Sequence, residues 1–504
     1  MPAGAAVKTA FGTHMGRLSR GVILYGLTGA LSRTATLLLV PVLTTYLSTA
    51  QHGVLSLITV ITALLTPVLS LGLGAAAGAC YFQDTSERHR AATIWTALVM
   101  ILPGAALMVA GAILFPGSIS TMMFDTTEFA GALRTSMFAT ACALLALPFT
   151  MYLQFEERSG AYAVVMLGST AITAAVTVVA VVWMRLDLHG VVLASLAGQA
   201  ALLVIVLVVV ASRLPRYLSR PVFRDLLRLG LPLVPGFGFV LLLQHGNKFL
   251  LEQISGLGAL GIYSLGFNLG FAFSIVVAAF QTAWLPFAMS FADRREEAGV
   301  VFGRVLTYYV VGGGLLTVMF FAWARLVVLL LARPNFADAY QVVGMSAAAQ
   351  FFSGVSAILL PAVYFARQVQ YVTLVHAIAA TVMFALSLVL IRPFGILGAG
   401  VALAAAAAAS SALQHGWNVA RRKAYLQVHY EWQRVGLVLL VYGALAALTL
   451  WPRNIPVSAE LLFGSAVSAL AILCAFVLLT PREREAVRVA IRTRFPPRGA
   501  EAAA

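Results

Sequence analysis

Charge is scarce in this chain. Asp, Glu, Lys and Arg together make up 10% of its 504 residues, whereas a soluble domain carries roughly 25%. With 61% hydrophobic residues and a mean hydropathy of +0.94, a soluble fold would have too few polar residues to cover its surface. Cysteine is scarce too. Cys80, Cys142 and Cys474 stand far apart, each in or beside an apolar block, so there is neither metal-ligand spacing nor a disulfide framework. They read as small apolar residues in packed helices. Acids are fewer than bases, 18 against 33, leaving a net charge of +15. In a soluble protein that surplus would suggest nucleic acid. No aromatic-plus-basic RNA motif is present, and cytoplasmic loops of membrane proteins collect Lys and Arg on their own account. No nucleic-acid partner, metal or cofactor is expected.

What the sequence has in quantity is long apolar blocks. A helix needs about 20 residues to span a bilayer, and in lipid only helices or closed barrels satisfy their backbone groups. The blocks are continuously apolar rather than alternating, which points to helices. About fourteen spans are expected, near residues 22–47, 53–80, 91–115, 132–153, 161–184, 190–211, 230–252, 260–290, 300–331, 341–366, 371–391, 395–417, 435–451 and 460–480. Basic residues set the orientation. Only Arg185, Arg333, Arg392 and Arg453 fall on outer loops, while Lys8, Arg17, Arg88, Arg158, Arg216, Arg294, Arg367, Arg421 and many others fall on inner ones. Both termini are therefore expected in the cytoplasm, with residues 122 and 336 open to reagents from outside. The stretch before Gly21 reads as a cytoplasmic tail rather than a cleaved signal.

The expected fold is an all-α integral membrane protein with two six-helix lobes and two further C-terminal helices. Its parts are a tail at 1–21, a first lobe at 22–211, a connector at 212–229, a second lobe at 230–417, an additional helix pair within 418–480 and a basic tail at 481–504. In the connector, Arg213, Arg216, Arg220, Arg224 and Arg228 recur every three or four positions, with Phe223, Leu226 and Leu227 as an apolar side. That pattern predicts an amphipathic helix on the anionic inner leaflet. A weak repeat supports the two lobes. His52-Gly53-Val54-Leu55-Ser56-Leu57 opens the second span and Leu260-Gly261-Ile262-Tyr263-Ser264-Leu265 opens the eighth. An even number of spans separates them, so the copies share orientation, as parallel repeats about an axis along the membrane normal do.

Ionisable groups inside a bilayer are costly and are functional candidates by default. Arg33, Arg134, Lys248, Arg304 and Arg325 fall inside the predicted spans, with Glu252 as the one acid. Arg33 lies near the middle of the first span, too deep to snorkel easily. Tyr25, Gly29, Arg33, Thr36 and Thr44 share its helical face, which suits a water-filled cavity. Lys248 shares a stripe with Gln244 and Glu252, beside Asn247. It either faces the cavity or pairs with Glu252 one turn on. Arg134, Arg304 and Arg325 sit closer to span ends, where snorkelling competes with a cavity role. Asn268, Gln281, Trp284, Tyr308, Tyr309, Tyr364 and Tyr371 are candidates for stacking on or hydrogen-bonding a sugar. A cavity with fixed cations and no carboxylates attracts anions, and arginine's forked donors match phosphate. The candidate binding set is Arg33, Lys248, Asn247, Arg134, Arg304, Tyr25, Gln244 and Asn268, with no catalytic residue.

Several strings resemble one family. They are Leu39-Val40-Pro41 through Tyr46, His52-Gly53 through Leu57, Leu71-Gly72-Leu73 and Tyr81-Phe82. In the second half they are Gly230-Leu231-Pro232 to Pro235, Asn247-Lys248-Phe249, Gly261-Ile262-Tyr263-Ser264, Ala283-Trp284 to Phe287 and Gly395 to Ala402. Their order and spacing resemble bacterial polysaccharide flippases of the Wzx type, within the multidrug/oligosaccharidyl-lipid/polysaccharide (MOP) exporter superfamily, over nearly the whole chain. The resemblance implies two lobes around a cationic central cavity. It also implies flipping of undecaprenyl-diphosphate-linked oligosaccharide across the inner membrane by alternating access, for O-antigen, capsule or exopolysaccharide. Membrane lipid, a polysaccharide polymerase and chain-length or export proteins are the implied partners, with coupling to a proton or sodium gradient left open. Two positions depart from the family pattern. Asn247-Lys248 stands where relatives often have Asp-Arg, and Cys80 where many have Arg. A lipid-linked peptidoglycan precursor flippase and a drug or cation antiporter of the same superfamily remain as alternatives. An antiporter would normally use a buried carboxylate in the first lobe, and none is visible. A membrane glycosyltransferase or polymerase needs acids or histidines on substantial outer loops. The longest such loop, 116–131, offers only Asp125 and Glu128.

Overall fold

A computed structural model describes residues 26–212, 214–291, 294–365, 370–420, 427–450, 456–478, 481 and 483–485. The N-terminal tail, Tyr25 and most of the C-terminal basic tail lie outside these residues. The described residues are almost wholly helical, without a strand. The first lobe holds α1 (Gly26–Tyr46), α2 (Thr49–Tyr81), α3 (Glu87–Leu114), α4 (Ala130–Phe155), α5 (Ser159–Trp183) and α6 (Asp187–Ala211). The connector helix α7 (Arg220–Gly230) leads to α8 (Val234–His245), α9 (Asn247–Phe271) and α10 (Ser274–Met289). Then come α11 (Arg295–Leu331), α12 (Pro334–Phe365), α13 (Gln370–Ala420), α14 (Trp432–Thr449) and α15 (Val457–Leu478).

Among the described residues, 12 continuous helical stretches are long and apolar enough to cross a membrane. Two of them double back at a glycine, which brings the number of passes to the fourteen read from the sequence. In α9 the chain turns at Gly256, with φ 81 and ψ 172. The Asn247 amide donates to the Tyr263 hydroxyl at 2.7 Å, although residues so far apart would be separated by about 24 Å along a straight helix. In α13 the turn is at Gly395, with φ 53. Gly398 there lies so close to the Leu390 carbonyl that a Cβ would come within 2.1 Å of its oxygen. Both conformations are disfavoured for any residue with a side chain, so each glycine marks a loop of minimal length. The start of α2 is fixed by a capping box. Ser48 Oγ accepts from Gln51 N, and Gln51 Oε1 accepts from Ser48 N.

Among its described residues the connector forms a helix over Arg220–Gly230. Its apolar face is turned onto the first lobe. Val222 and Leu226 pack into a core with Leu73, Ala76, Cys80 and Met100. Phe223, expected on that side, is exposed beside Arg220, Arg224 and Arg228. The buried stripe runs 222, 226, 230, and Phe223 lies at its edge, about 60° from its centre on the way round to the arginines. The junction is tight: Gly72 in the broken end of α2 and Gly230 meet backbone to backbone. A Cβ on Gly72 would lie 2.3 Å from the Gly230 carbonyl oxygen, and one on Gly230 would lie 2.4 Å from that of Leu71. Of the two positions expected to be open to outside reagents, Met122 is 90% exposed but Phe336 is buried, edge-on against the His52 ring.

The last two helices pack on α11. Tyr442 donates to the Val311 carbonyl at 3.2 Å, and Trp323 Nε1 to Ser468 at 3.0 Å. Arg325, expected to snorkel or face the cavity, instead lies 3.6 Å from Glu460. Glu460 is 3% exposed, so Glu252 is not the sole acid within the spans. Glu460 escapes notice because it sits at the very start of its apolar run. Removing one partner of a buried ion pair costs more than removing both, because it strands a charge. Arg325→Leu should therefore lower the melting temperature of the detergent-solubilised protein, by on the order of 3 kcal/mol of stability. Arg325→Leu with Glu460→Leu should recover most of that loss. An additive double variant would show the pair to be inert.

Candidate functional site

The two copies of the sequence repeat pack directly against each other. A Cβ on Gly53 would lie 2.1 Å from the Leu257 carbonyl oxygen, and one on Gly261 would lie 1.8 Å from that of Thr49. Each of these carbonyls belongs to the residue four positions before the opposing glycine, so the contact has a local two-fold axis. One turn along, Ser264 donates to Ser56 at 2.6 Å. Around this point the lobes share a core that includes Val54, Leu57, Leu260 and Tyr263. Arg333 Nε also donates to Thr45 Oγ1 at 3.3 Å. These contacts join the lobes at the end remote from the Arg-rich loops.

Lys248 reinforces this seal. It is 4% exposed, donates to Ser56 at 3.1 Å and lies 4.6 Å over the Phe267 ring. Neither expectation for it holds. Among the described residues it makes no ion pair with Glu252, and it does not face an open cavity. Asn247 is fully buried, giving its amide hydrogens to Tyr263 and to the Ala399 carbonyl at 3.0 Å. It ties the two hairpin glycines' helices together rather than lining a cleft.

Arg33 is exposed, about two turns into α1. Its guanidinium donates to the Ser274 hydroxyl and lies 5.2 Å over the Phe271 ring. Both residues flank the break between α9 and α10, in the second lobe. The adjacent Ser32 accepts from Thr170 of α5 in the first lobe at 3.1 Å. Helix α1 is thus strung between the lobes, with Arg33 at the crossing point. No carboxylate pairs with Arg33 among the described residues. Asn268 is exposed one turn before Phe271 on the same arm.

The other candidates do not gather there. Arg134 is exposed near the start of α4. Arg304 is exposed too, but it sits beside Tyr308, with Glu483 and Arg434 close by. It therefore belongs to the side that packs on the C-terminal helices. Gln244 lines a small cavity of about 90 Å³ within the second lobe, with Gln350, His376 and Ser410. Trp284 and Tyr309 direct their polar atoms to the carbonyls of Ala357 and Phe351 and serve packing. Ser56, Ser264 and Ser274 were not singled out from the sequence, although the first two occupy matching places three residues after each repeat glycine. Among the described residues no cluster of His, Cys, Asp or Glu could hold a metal ion.

Residues 18–291 match the sequence profile of the polysaccharide biosynthesis proteins. The chain belongs to that family. No curated protein matches its sequence. In fold, this family member is similar to a multidrug-resistance MATE family transporter of the MOP superfamily in its inward-facing conformation. The TM-score is 0.68 at 10% identity, over 78% of this chain and 98% of that one. It is similar also to the lipid II flippase MurJ in an inward closed conformation. There the TM-score is 0.66 at 12% identity, over 89% of this chain and 98% of that one. An outward-facing MATE family transporter of the MOP superfamily gives a TM-score of 0.56 at 11% identity, over 81% and 96% of the two chains. The polysaccharide biosynthesis protein therefore shares the multi-pass helical fold of these membrane proteins.

Proposed function

We propose that the protein is a flippase of the bacterial inner membrane. It carries undecaprenyl-diphosphate-linked oligosaccharide from the cytoplasmic to the periplasmic leaflet by alternating access, and it makes or breaks no covalent bond. Arg33 carries this reading. It is a cation within a helix strung between the lobes, with a hydroxyl and an aromatic ring as neighbours. An unneutralised guanidinium in that place attracts an anion, and its forked donors suit a diphosphate better than a point charge would. A cation carrier would require an acid there. The seal between Gly53 and Gly261 lies at the end away from the basic loops, as expected of a state that loads its substrate from the cytoplasm. The higher score against the inward-facing relative fits the same state.

A strain lacking the protein should accumulate one lipid-linked oligosaccharide on the inner leaflet. Purified protein in vesicles should move that lipid without altering its mass. An unchanged lipid extract, or a product with a new glycosidic or phosphate bond, would overturn the assignment.

A further inference from the structure

We propose that a hydroxyl-lined cavity within the first lobe is the sugar subsite, and that it takes an uncharged, hydroxyl-bearing part of the glycan. This rests on the flippase reading above and adds a place and a chemistry for the sugar. The cavity measures about 290 Å³ and lies between α2, α4 and α6. That is at the small end of the ~300–1,000 Å³ typical of small-molecule pockets. The polar cavity of the second lobe, about 90 Å³, is too small by comparison. No Asp, Glu, Lys, Arg or His lines the larger cavity.

Its hydrogen bonding decides what it can hold. Thr59, Thr62, Thr66 and Thr140 all line it. Each donates its hydroxyl hydrogen to a carbonyl four residues back in its own helix: to Leu55 at 2.8 Å, Ile58 at 2.9 Å, Thr62 at 2.7 Å and Ser136 at 2.9 Å. A threonine hydroxyl has one hydrogen and two lone pairs, so back-bonding of this kind leaves four oxygens that can only accept. Such a wall attracts sugar hydroxyls and amide N–H groups and repels phosphate and carboxylate oxygens. Ser195 and Gln199, also on the wall, make no hydrogen bond among the described residues, and they supply the donors that ring and glycosidic oxygens need. The ligand is thereby divided by chemistry, with the diphosphate at Arg33 and the neutral sugar in the first lobe.

The test uses full-length protein in lipid nanodiscs, with two probes titrated by native mass spectrometry: undecaprenyl diphosphate, and the same lipid carrying one N-acetylglucosamine. The wild type should bind the glycosylated lipid at least about tenfold more tightly, the gain of a few net hydrogen bonds. Thr62→Val with Thr140→Val keeps side-chain shape and removes two acceptors. It should bring the two lipids to within about twofold and leave affinity for the bare diphosphate unchanged. Arg33→Ala should weaken both lipids by the same factor. Equal binding of the two lipids by the wild type would overturn the sugar subsite and leave the flippase assignment standing, and it needs no variant to read. A sugar preference that survives both the valine pair and Gln199→Leu would also overturn the subsite. Binding of neither lipid would overturn both proposals.

Discussion

Replacing Arg33 with alanine should stop polysaccharide export, or reduce it by at least about tenfold, while folded yield stays normal. A hydrogen bond to a charged group contributes roughly 1.5–3 kcal/mol, which corresponds to about a 10- to 150-fold loss of affinity for the diphosphate. The fold should tolerate the change because Arg33 is exposed and its only protein hydrogen-bond partner among the described residues is the neutral hydroxyl of Ser274. Truncation strands no buried charge. Arg33→Lys should restore part of the activity, since charge is kept and the planar fork is lost. Export and the yield of monodisperse protein must be measured together. A drop in yield that accounts for the lost export would make Arg33 a structural tie between α1 and α10. Normal export at normal yield would remove it from the site altogether.

Joining the lobes covalently at the repeat contact should halt transport reversibly. Ser56 and Ser264 lie within 2.6 Å through their hydroxyl oxygens, close enough for a disulfide with ordinary Cβ separation of about 3.5–4.5 Å. In a background where Cys80, Cys142 and Cys474 are replaced by alanine, Ser56→Cys with Ser264→Cys should cross-link under mild oxidant. Export should then fall to background and return with reductant. Alternating access requires this end to open, and opening also requires Lys248 to leave Ser56. Efficient cross-linking with undiminished transport would mean that the lobes never part here. Cross-linking should also protect the protein against heat, because it constrains the unfolded chain.

The helices and their number were legible in the sequence because spanning a bilayer demands long apolar runs and because Gly256 and Gly395 interrupt two of them. The parallel repeat was legible as well, and the contact of Gly53 with Leu257 and of Gly261 with Thr49 gives it a physical role. The faces of the helices were not legible. In water, apolar periodicity separates inside from outside. In lipid, an apolar residue is equally at home against another helix or against an acyl chain. The pattern places Phe223 with Leu226 and Leu227 on one apolar side, whereas Leu226 packs on the first lobe and Phe223 stays exposed; Phe336, expected to be open to outside reagents, is buried. Partners distant in sequence were also hidden. Glu252 is the local candidate for Lys248, one turn away on the same helix. Its actual partner, Ser56, comes from the other lobe. Arg325 similarly finds Glu460, which no local spacing could have suggested.

Helix α2 touches the second lobe and the connector through bare backbone, at Gly53 and at Gly72. Where two side chains collide, a neighbour can shrink to make room, so a damaging change at one position can be repaired at another. Here the opposing atom is a main-chain carbonyl at every contact: Leu257 facing Gly53, Thr49 facing Gly261, Gly230 facing Gly72 and Leu71 facing Gly230. Main chain has nothing left to trim. These four glycines therefore lack compensating partners, and the route by which most packed positions drift in pairs is closed to them.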